Sequence, residues 1–360
     1  MDVGLTSEQL ALRDTVRDVL RVESPPSVAR QAITDPERWR ALWKAVVDLG
    51  WTELARSGSD FGPVEQALVL EECGAALAPI PLLSSVGLAA GALRACGSAM
   101  DPVLADIAAG DVATLAAHAR GQRLPGLPGL PMTLRQGRLR GHAVAVPNLS
   151  RAELIVTLAA ASDRPVVAVV RAGDGVTVRA GESTDPAQPV ADVEIDAEPL
   201  AIAAVDGIEA ALAAPLVAAA ADLVGVAGAA LQRSVEHAKT RRQFGAPIGA
   251  FQGIKHALAD NYVSIERARS LTYAAAARLS WGSAAPTDKA WTAAALAKAA
   301  AGDAAASCAR TAVQVHGALA QTWEHDIHLY VRHAWQVAAQ LGDSRALYHE
   351  LGRRYAGDDA

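Results

Sequence analysis

Apolar positions recur at helical spacing through roughly the first 115 residues of this chain. Leu12, Val16, Val19 and Leu20 make one stripe, and Trp39, Leu42, Trp43, Val46 and Val47 make a second that Gly50 stops. A third runs from Val64 through Leu68, Leu70 and Cys73 to Leu77, and Pro79 and Pro81 end it. Thr6 with Gln9 fits a capping box and Leu5 with Leu10 a hydrophobic staple, which sets the start of the first helix. The pair Glu71-Glu72 reads as a solvated helix surface. The period then changes. Pro125, Pro128 and Pro131 with interleaved glycines make a helix-free linker over 124–132, and Gln136-Gly137 fits the turn of a hairpin. Short β-type runs follow at 144–146, 154–158, 166–170, 176–178 and 193–196, which predicts a compact antiparallel sheet or barrel between residues 116 and 200. From about residue 207 long alanine-rich stretches predict helices over 208–239, 251–281, 287–314 and 324–352. The expected fold class is therefore α+β. It comprises a helical domain (1–115), an antiparallel β-barrel-like domain (116–206) and a C-terminal four-helix bundle (207–360).

Composition narrows the function classes. Hydrophobic residues make up 51%, with the excess in alanine rather than aromatics, and the formal net charge is −6. A nucleic-acid partner is not expected of such a chain. Cys73, Cys96 and Cys308 are scattered without metal-ligand spacing and read as structural thiols of a reducing cytosol. The alanine run 213–221 contains Pro215 and is closed by Asp222, so it falls short of a membrane span. The N-terminus runs straight into a capped helix rather than a signal peptide, and a cytoplasmic location is expected. His316, His325, His328 and His333 cluster in sequence, but not at a metal-binding spacing, and read as packing residues.

The chemistry concentrates in Arg241-Arg242-Gln243-Phe244-Gly245-Ala246-Pro247-Ile248-Gly249-Ala250-Phe251-Gln252, between two predicted helices. An arginine pair at a helix end suits an anionic ligand, while Gly245 and Gly249 permit close approach. A stiff connector that spends its arginines on ion pairs reads equally well. This stretch, together with Gln314-Val315-His316-Gly317-Ala318 and Thr322-Trp323-Glu324-His325-Asp326 through Arg332, resembles the helix-connecting and C-terminal signatures of the acyl-CoA dehydrogenase family. The resemblance spans the chain and agrees with the α–β–α order.

The resemblance implies an FAD flavoprotein that removes an α-proton with a carboxylate and passes a β-hydride to the flavin. It implies an acyl-CoA substrate, a dimer or tetramer, and an electron-transfer flavoprotein as acceptor. By the same carry-over Arg241 meets the FAD diphosphate, Phe244 packs on the cofactor, and Gln314 and Gly317 line its path. Gln252, Thr322 and Glu324, with Asp343, border it.

Three departures stand beside these matches. The residue before Gly342, where the family commonly keeps its catalytic glutamate, is Leu341; Asp222 is the weak replacement on the first helix of the C-terminal domain. The family's Thr-Glu-Pro…Gly-Ser-Asp loop is missing, with the linker 124–132 in its place. Ala318 and Ala320 replace glycines. Loss of the base with retention of the cofactor-facing residues fits one subunit of a heteromeric enzyme, a heterotetramer of unlike chains. The alternatives are a homomeric enzyme that uses Asp222 and a flavin-dependent oxygenase that needs no such base.

Overall fold

The computed structural model describes residues 4–56, 58–59, 61–126, 129–162, 164–279 and 288–356. α1 (Ser7–Glu23) starts at the expected box: Thr6 Oγ1 accepts from the Gln9 N–H, and the Gln9 side chain accepts from the Thr6 N–H. α2 (Pro26–Thr34), α3 (Trp39–Asp48) and α4 (Pro63–Ala76) follow, then π-helical turns at Leu83–Ala89 that run into α5 (Ala90–Arg94), and α6 (Asp101–Ala108).

The middle region is an eight-stranded sheet of β1 (Ala113–Ala116), β2 (Met132–Arg135), β3 (Arg138–Pro147), β4 (Leu154–Ala160), β5 (Pro165–Arg171), β6 (Val176–Ala180), β7 (Val190–Ala197) and β8 (Ala201–Ala204). Its path is β6-β7-β3-β2-β4-β5-β8, with β1 also on β4. The hairpin at Gln136-Gly137 forms as expected, both residues at positive φ (51° and 76°). The sheet is mixed rather than antiparallel, because β1 and β2 both run parallel to β4. They occupy its edge in succession: Ala116 pairs with Thr157 and Met132 with Ala159. β1 and β2 are thus two parts of one interrupted edge strand, a long-range feature that local periodicity does not encode. Side-chain alternation splits the core. Ile155, Ala168 and Val193 pack inside the curved sheet, whereas Leu154, Val156 and Val169 face the helices.

The C-terminal region contains α7 (Ile208–Thr240), a small hairpin of β9 (Arg242–Gln243) and β10 (Ala246–Pro247), α8 (Gln252–Arg278), α9 (Asp288–His316), α10 (Ile327–Ala339) and α11 (Ser344–Ala356). The last set of helices expected over 324–352 is α10 and α11, separated where Leu341 and Gly342 take positive φ (57° and 105°). α7 is long and apolar enough to cross a membrane, but its apolar window is wholly buried within the fold, so it is a core helix. It crosses α4 at backbone contact: a methyl group on Gly74 would overlap the Asp222 carbonyl, and one on Gly225 the Glu71 carbonyl.

Glu71 and Glu72 are buried, contrary to the surface reading. Glu71 accepts from Arg269 and Tyr273 of α8 (2.9 and 2.8 Å), and Glu72 from Arg17 of α1. Ion pairing, which a sequence window cannot display, compensates their desolvation. Cys73 and Cys308 are buried free thiols and Cys96 is half-buried. Burial pushes Cys96 and Cys308 up to about 12, consistent with inert packing residues.

Candidate functional site

Two places in this fold gather chemistry. The first is a cavity of about 380 Å³ between the sheet and the bundle. Its walls come from the chain just after β1 (Ala117, His118, Gln122, Arg123), a bulge in β3 (Val144, Ala145), α10 (Trp335, Gln336, Ala339) and the α10–α11 break (Gln340, Leu341, Asp343). The bulge and the chain after β1 belong together, since Val144 N–H donates to His118 O at 2.9 Å.

The walls of this cavity are bonded to one another. His118 Nε2 accepts from the Leu341 N–H at 3.0 Å. Burial, with Lys298 nearby, pulls His118 down to about 4, so the ring is neutral and its lone pair is free for that bond. Lys298 of α9 is fully buried and donates to the carbonyls of Ala338 (2.8 Å) and Gly342 (2.9 Å). Its burial pulls it down to about 7. These bonds hold Leu341 in the left-handed region, where a leucine is strained.

Two carboxylates reach the cavity. Asp343 pairs with Arg123 at 2.5 Å and caps α11 through the Ala346 N–H; Glu182 lies exposed at the rim. Burial acts to raise Asp343, but Arg123 and the cap outweigh it and hold the carboxyl below its usual range, which makes it a poor base.

Leu341, which stands where a base is expected, therefore lines this cavity, and Asp222 does not. Asp222 is buried at 4% exposure, and its Oδ1 accepts from His333 Nε2 at 2.9 Å while His333 Nδ1 donates to Asp185 at 2.7 Å. Acceptors on both ring nitrogens demand an imidazolium. Burial opposes that charge, but the two aspartates outweigh it and push His333 up to about 10. The same loop is tied to α10 again by Gln336, which accepts from the Asp185 N–H and donates to Gln188 O. Asp222 thus takes part in a buried charged knot that joins α7, α10 and the β6–β7 loop.

The second place is the exposed end of the bundle. Its hairpin turns at Phe244-Gly245, both at positive φ (53° and 80°), so that Phe244 projects with 92% of its surface exposed. Its ring lies edge-on to Phe251, 6.1 Å away, which brings Gln252 at the start of α8 to the same end. His237 in the last turn of α7 stacks on His316 in the last turn of α9 at 4.3 Å, and His316 touches His325 at 4.9 Å. These contacts gather Arg241, Phe244, Gln252, Gln314, Gly317, Thr322 and Glu324 at one end of the molecule. Arg241, Gln314, Gly317 and Glu324 are exposed, and Thr322 is half-buried.

Arg30 of α2 fastens the same turn to the N-terminal helices through Asp326 and the Glu324 carbonyl. Among the described residues no group of three His, Cys, Asp or Glu side chains is arranged to hold a metal. Sequence reasoning missed His118, Lys298 and Arg123. The wall is formed by Ala117, His118, Gln122 and Arg123, just before the linker 124–132.

The chain is built helical–sheet–helical with a cleft between sheet and bundle, a plan it shares with known proteins. Models of the N-terminal and C-terminal acyl-CoA dehydrogenase domains match residues 6–110 and 208–354. The acyl-CoA dehydrogenase IpdE2 of Mycobacterium tuberculosis is 32% identical over 354 residues, covering 96% of each chain. The ChsE4-ChsE5 complex from the same organism includes a chain that superposes with a TM-score of 0.86 at 27% identity over 100% of both chains. Butyryl-CoA dehydrogenase from Megasphaera elsdenii shares the fold (TM-score 0.82, 21% identity, 99% and 100% coverage). The chain belongs to the acyl-CoA dehydrogenase family, a family of oxidoreductases.

Proposed function

We propose that this chain is the base-lacking subunit of a heteromeric, FAD-dependent acyl-CoA dehydrogenase. It completes the cofactor site of a related partner chain, and the partner supplies the carboxylate that removes the α-proton. The carrying observation is the contrast at Leu341: the cavity has a leucine held by His118 and Lys298, and its carboxylate Asp343 is paired with Arg123. The residues at the exposed end fit a partner's FAD. Arg241 offers a guanidinium for a diphosphate, Phe244 a flat ring, and Gly317, at φ 66°, an unobstructed backbone approach. FAD held there would supply the hydride-accepting chemistry, and Arg241, Phe244 and Gly317 of this chain would hold its diphosphate end.

The Mycobacterium tuberculosis relative solved as a ChsE4-ChsE5 complex supports a heteromer. The reaction proposed for it is an α,β-dehydrogenation of an acyl-CoA thioester, with an electron-transfer flavoprotein as the acceptor. The Asp222 reading is disfavoured because that carboxylate is already bonded to His333 away from the cavity. Purification alone and after co-expression with a related chain, following flavin absorbance and mass, tests the proposal. A colourless chain that becomes part of a yellow mixed tetramer supports it. A yellow, active homotetramer overturns it in favour of a self-sufficient enzyme.

A further inference from the structure

Three imidazoles converge at the exposed end from three different elements: His237 from α7, His316 from α9 and His325 from the turn before α10. His237 and His316 lie face to face, 29° from parallel at 4.3 Å, and His325 follows at 4.9 Å. Their hydrogen bonds distinguish their roles. His316 Nδ1 faces the Ala312 carbonyl at 2.8 Å and must carry a proton there, which leaves Nε2 as its basic nitrogen. His325 Nδ1 accepts from the Ile327 N–H at 3.3 Å, so protonation there forfeits a bond. The proton-accepting members are His316 and His237.

The surroundings are already cationic. Arg241 lies beside His237, and Arg233 acts on His316 and His325. Asp326, the acid that opposes them, is shared by Arg30 at 2.5 Å and Arg233 at 3.5 Å. Glu236 is engaged by Lys239 at 2.8 Å, and the His328 ring stacks on Trp323. Burial first, then these neighbours, holds His237, His316 and His325 below the ordinary histidine value. An added proton on the stack therefore calls for an anion against it.

We propose that the His237–His316–His325 stack, with Arg241, is a proton-coupled anchor for a diphosphate diester at this end of the bundle. Placing a diphosphate here rests on the functional reading above; the coupling to a proton is carried by the stack. The anion lifts the free, depressed imidazole and a proton is taken up on binding. Affinity is then greatest at low pH and falls as pH rises through the free and then the bound value.

The test is calorimetric titration of the full-length chain with ADP-ribose, whose diphosphate is esterified at both ends and does not itself titrate near neutrality. Each pH is run in two buffers of different ionisation heat. The dissociation constant should rise about tenfold between about pH 5.5 and about pH 8, with about half a proton taken up per ligand near about pH 6.5. His316→Gln should remove most of that uptake and flatten the dependence of the dissociation constant on pH. His237→Gln, a half-buried ring at a helix end, carries the same test if the first variant does not fold. Arg241→Gln should weaken binding at every pH and keep the uptake.

Absent binding, pH-independent binding, or uptake that survives both histidine variants overturns the anchor. Its failure is separable from failure of the subunit reading. A yellow mixed complex with no proton linkage sinks only the anchor, and proton-linked ADP-ribose binding by a chain that forms no such complex sinks only the subunit reading.

Discussion

The cavity at Leu341 and the exposed end at Arg241 contain similar polar groups in opposite conditions. At the cavity Arg123 is spent on Asp343, His118 on a backbone amide and Lys298 on two carbonyls. At the bundle end Arg241 and Gln314 stand in solvent, and Phe244 is held out by a backbone conformation that is unfavourable for it. Polar groups that satisfy one another inside a protein hold its shape, because breaking such a pair strands a desolvated partner. Groups displayed without that engagement, next to an exposed aromatic, are free to meet a ligand or another chain. Under the proposed function the interior pairs serve architecture and the bundle end serves recognition.

The largest expected effect is on the interior side. His333→Ala leaves Asp185 and Asp222 buried without their shared cation and should cost about 3–5 kcal/mol in urea unfolding near neutral pH. The wild-type pH profile should agree in sign. The folded value near 10 lies above the unfolded value, so the stabilisation is complete below the ordinary histidine range and disappears as pH rises through about 10. A profile flat across that range would mean that the knot is not an imidazolium pair.

Next comes Arg241→Ala. It should leave stability within about 0.5 kcal/mol, while FAD retention by the mixed complex falls by about 10- to 100-fold, read from dialysis and flavin fluorescence. Equal loss of stability and cofactor would erase the distinction between the two regions. Phe244→Ala should likewise spare the fold, since its ring is 92% exposed, and weaken complex assembly by up to about 1.5–3 kcal/mol in sedimentation experiments. The smallest effect should come from the carboxylates of the cavity. Asp343→Asn and Glu182→Gln should each change turnover of the mixed complex by less than about threefold, whereas removal of a working base costs about two to four orders of magnitude. A loss of that larger size would return catalysis to this chain's own cavity.

Much of this was legible in the residues. The capping box at Thr6, the two-residue turn at Gln136-Gly137 and the helix ending at Leu77 are set by local chemistry. The motif residues at 241–252 and 314–324 could be named, but nothing in their spacing says that they meet. The stacking of His237 on His316 joins them across a long stretch of sequence. Glu71-Glu72 was misplaced on a surface because the cations that permit burial, Arg17 and Arg269, come from other helices. Nothing near Asp222 in sequence shows that His333 and Asp185 stand around it.

By itself the sequence determined what depends on neighbours a few residues apart: helix and strand periods, caps, the tight turns, and the absence of a carboxylate at position 341. Only the tertiary structure decided what depends on convergence. That includes the parallel pairing of β1 and β2 on one edge of β4, the burial of paired charges, and the gathering of the motif residues at one end of the bundle. The physical reason is that desolvation and pairing energies are set by every group that surrounds a side chain, and most of those groups are distant in the chain.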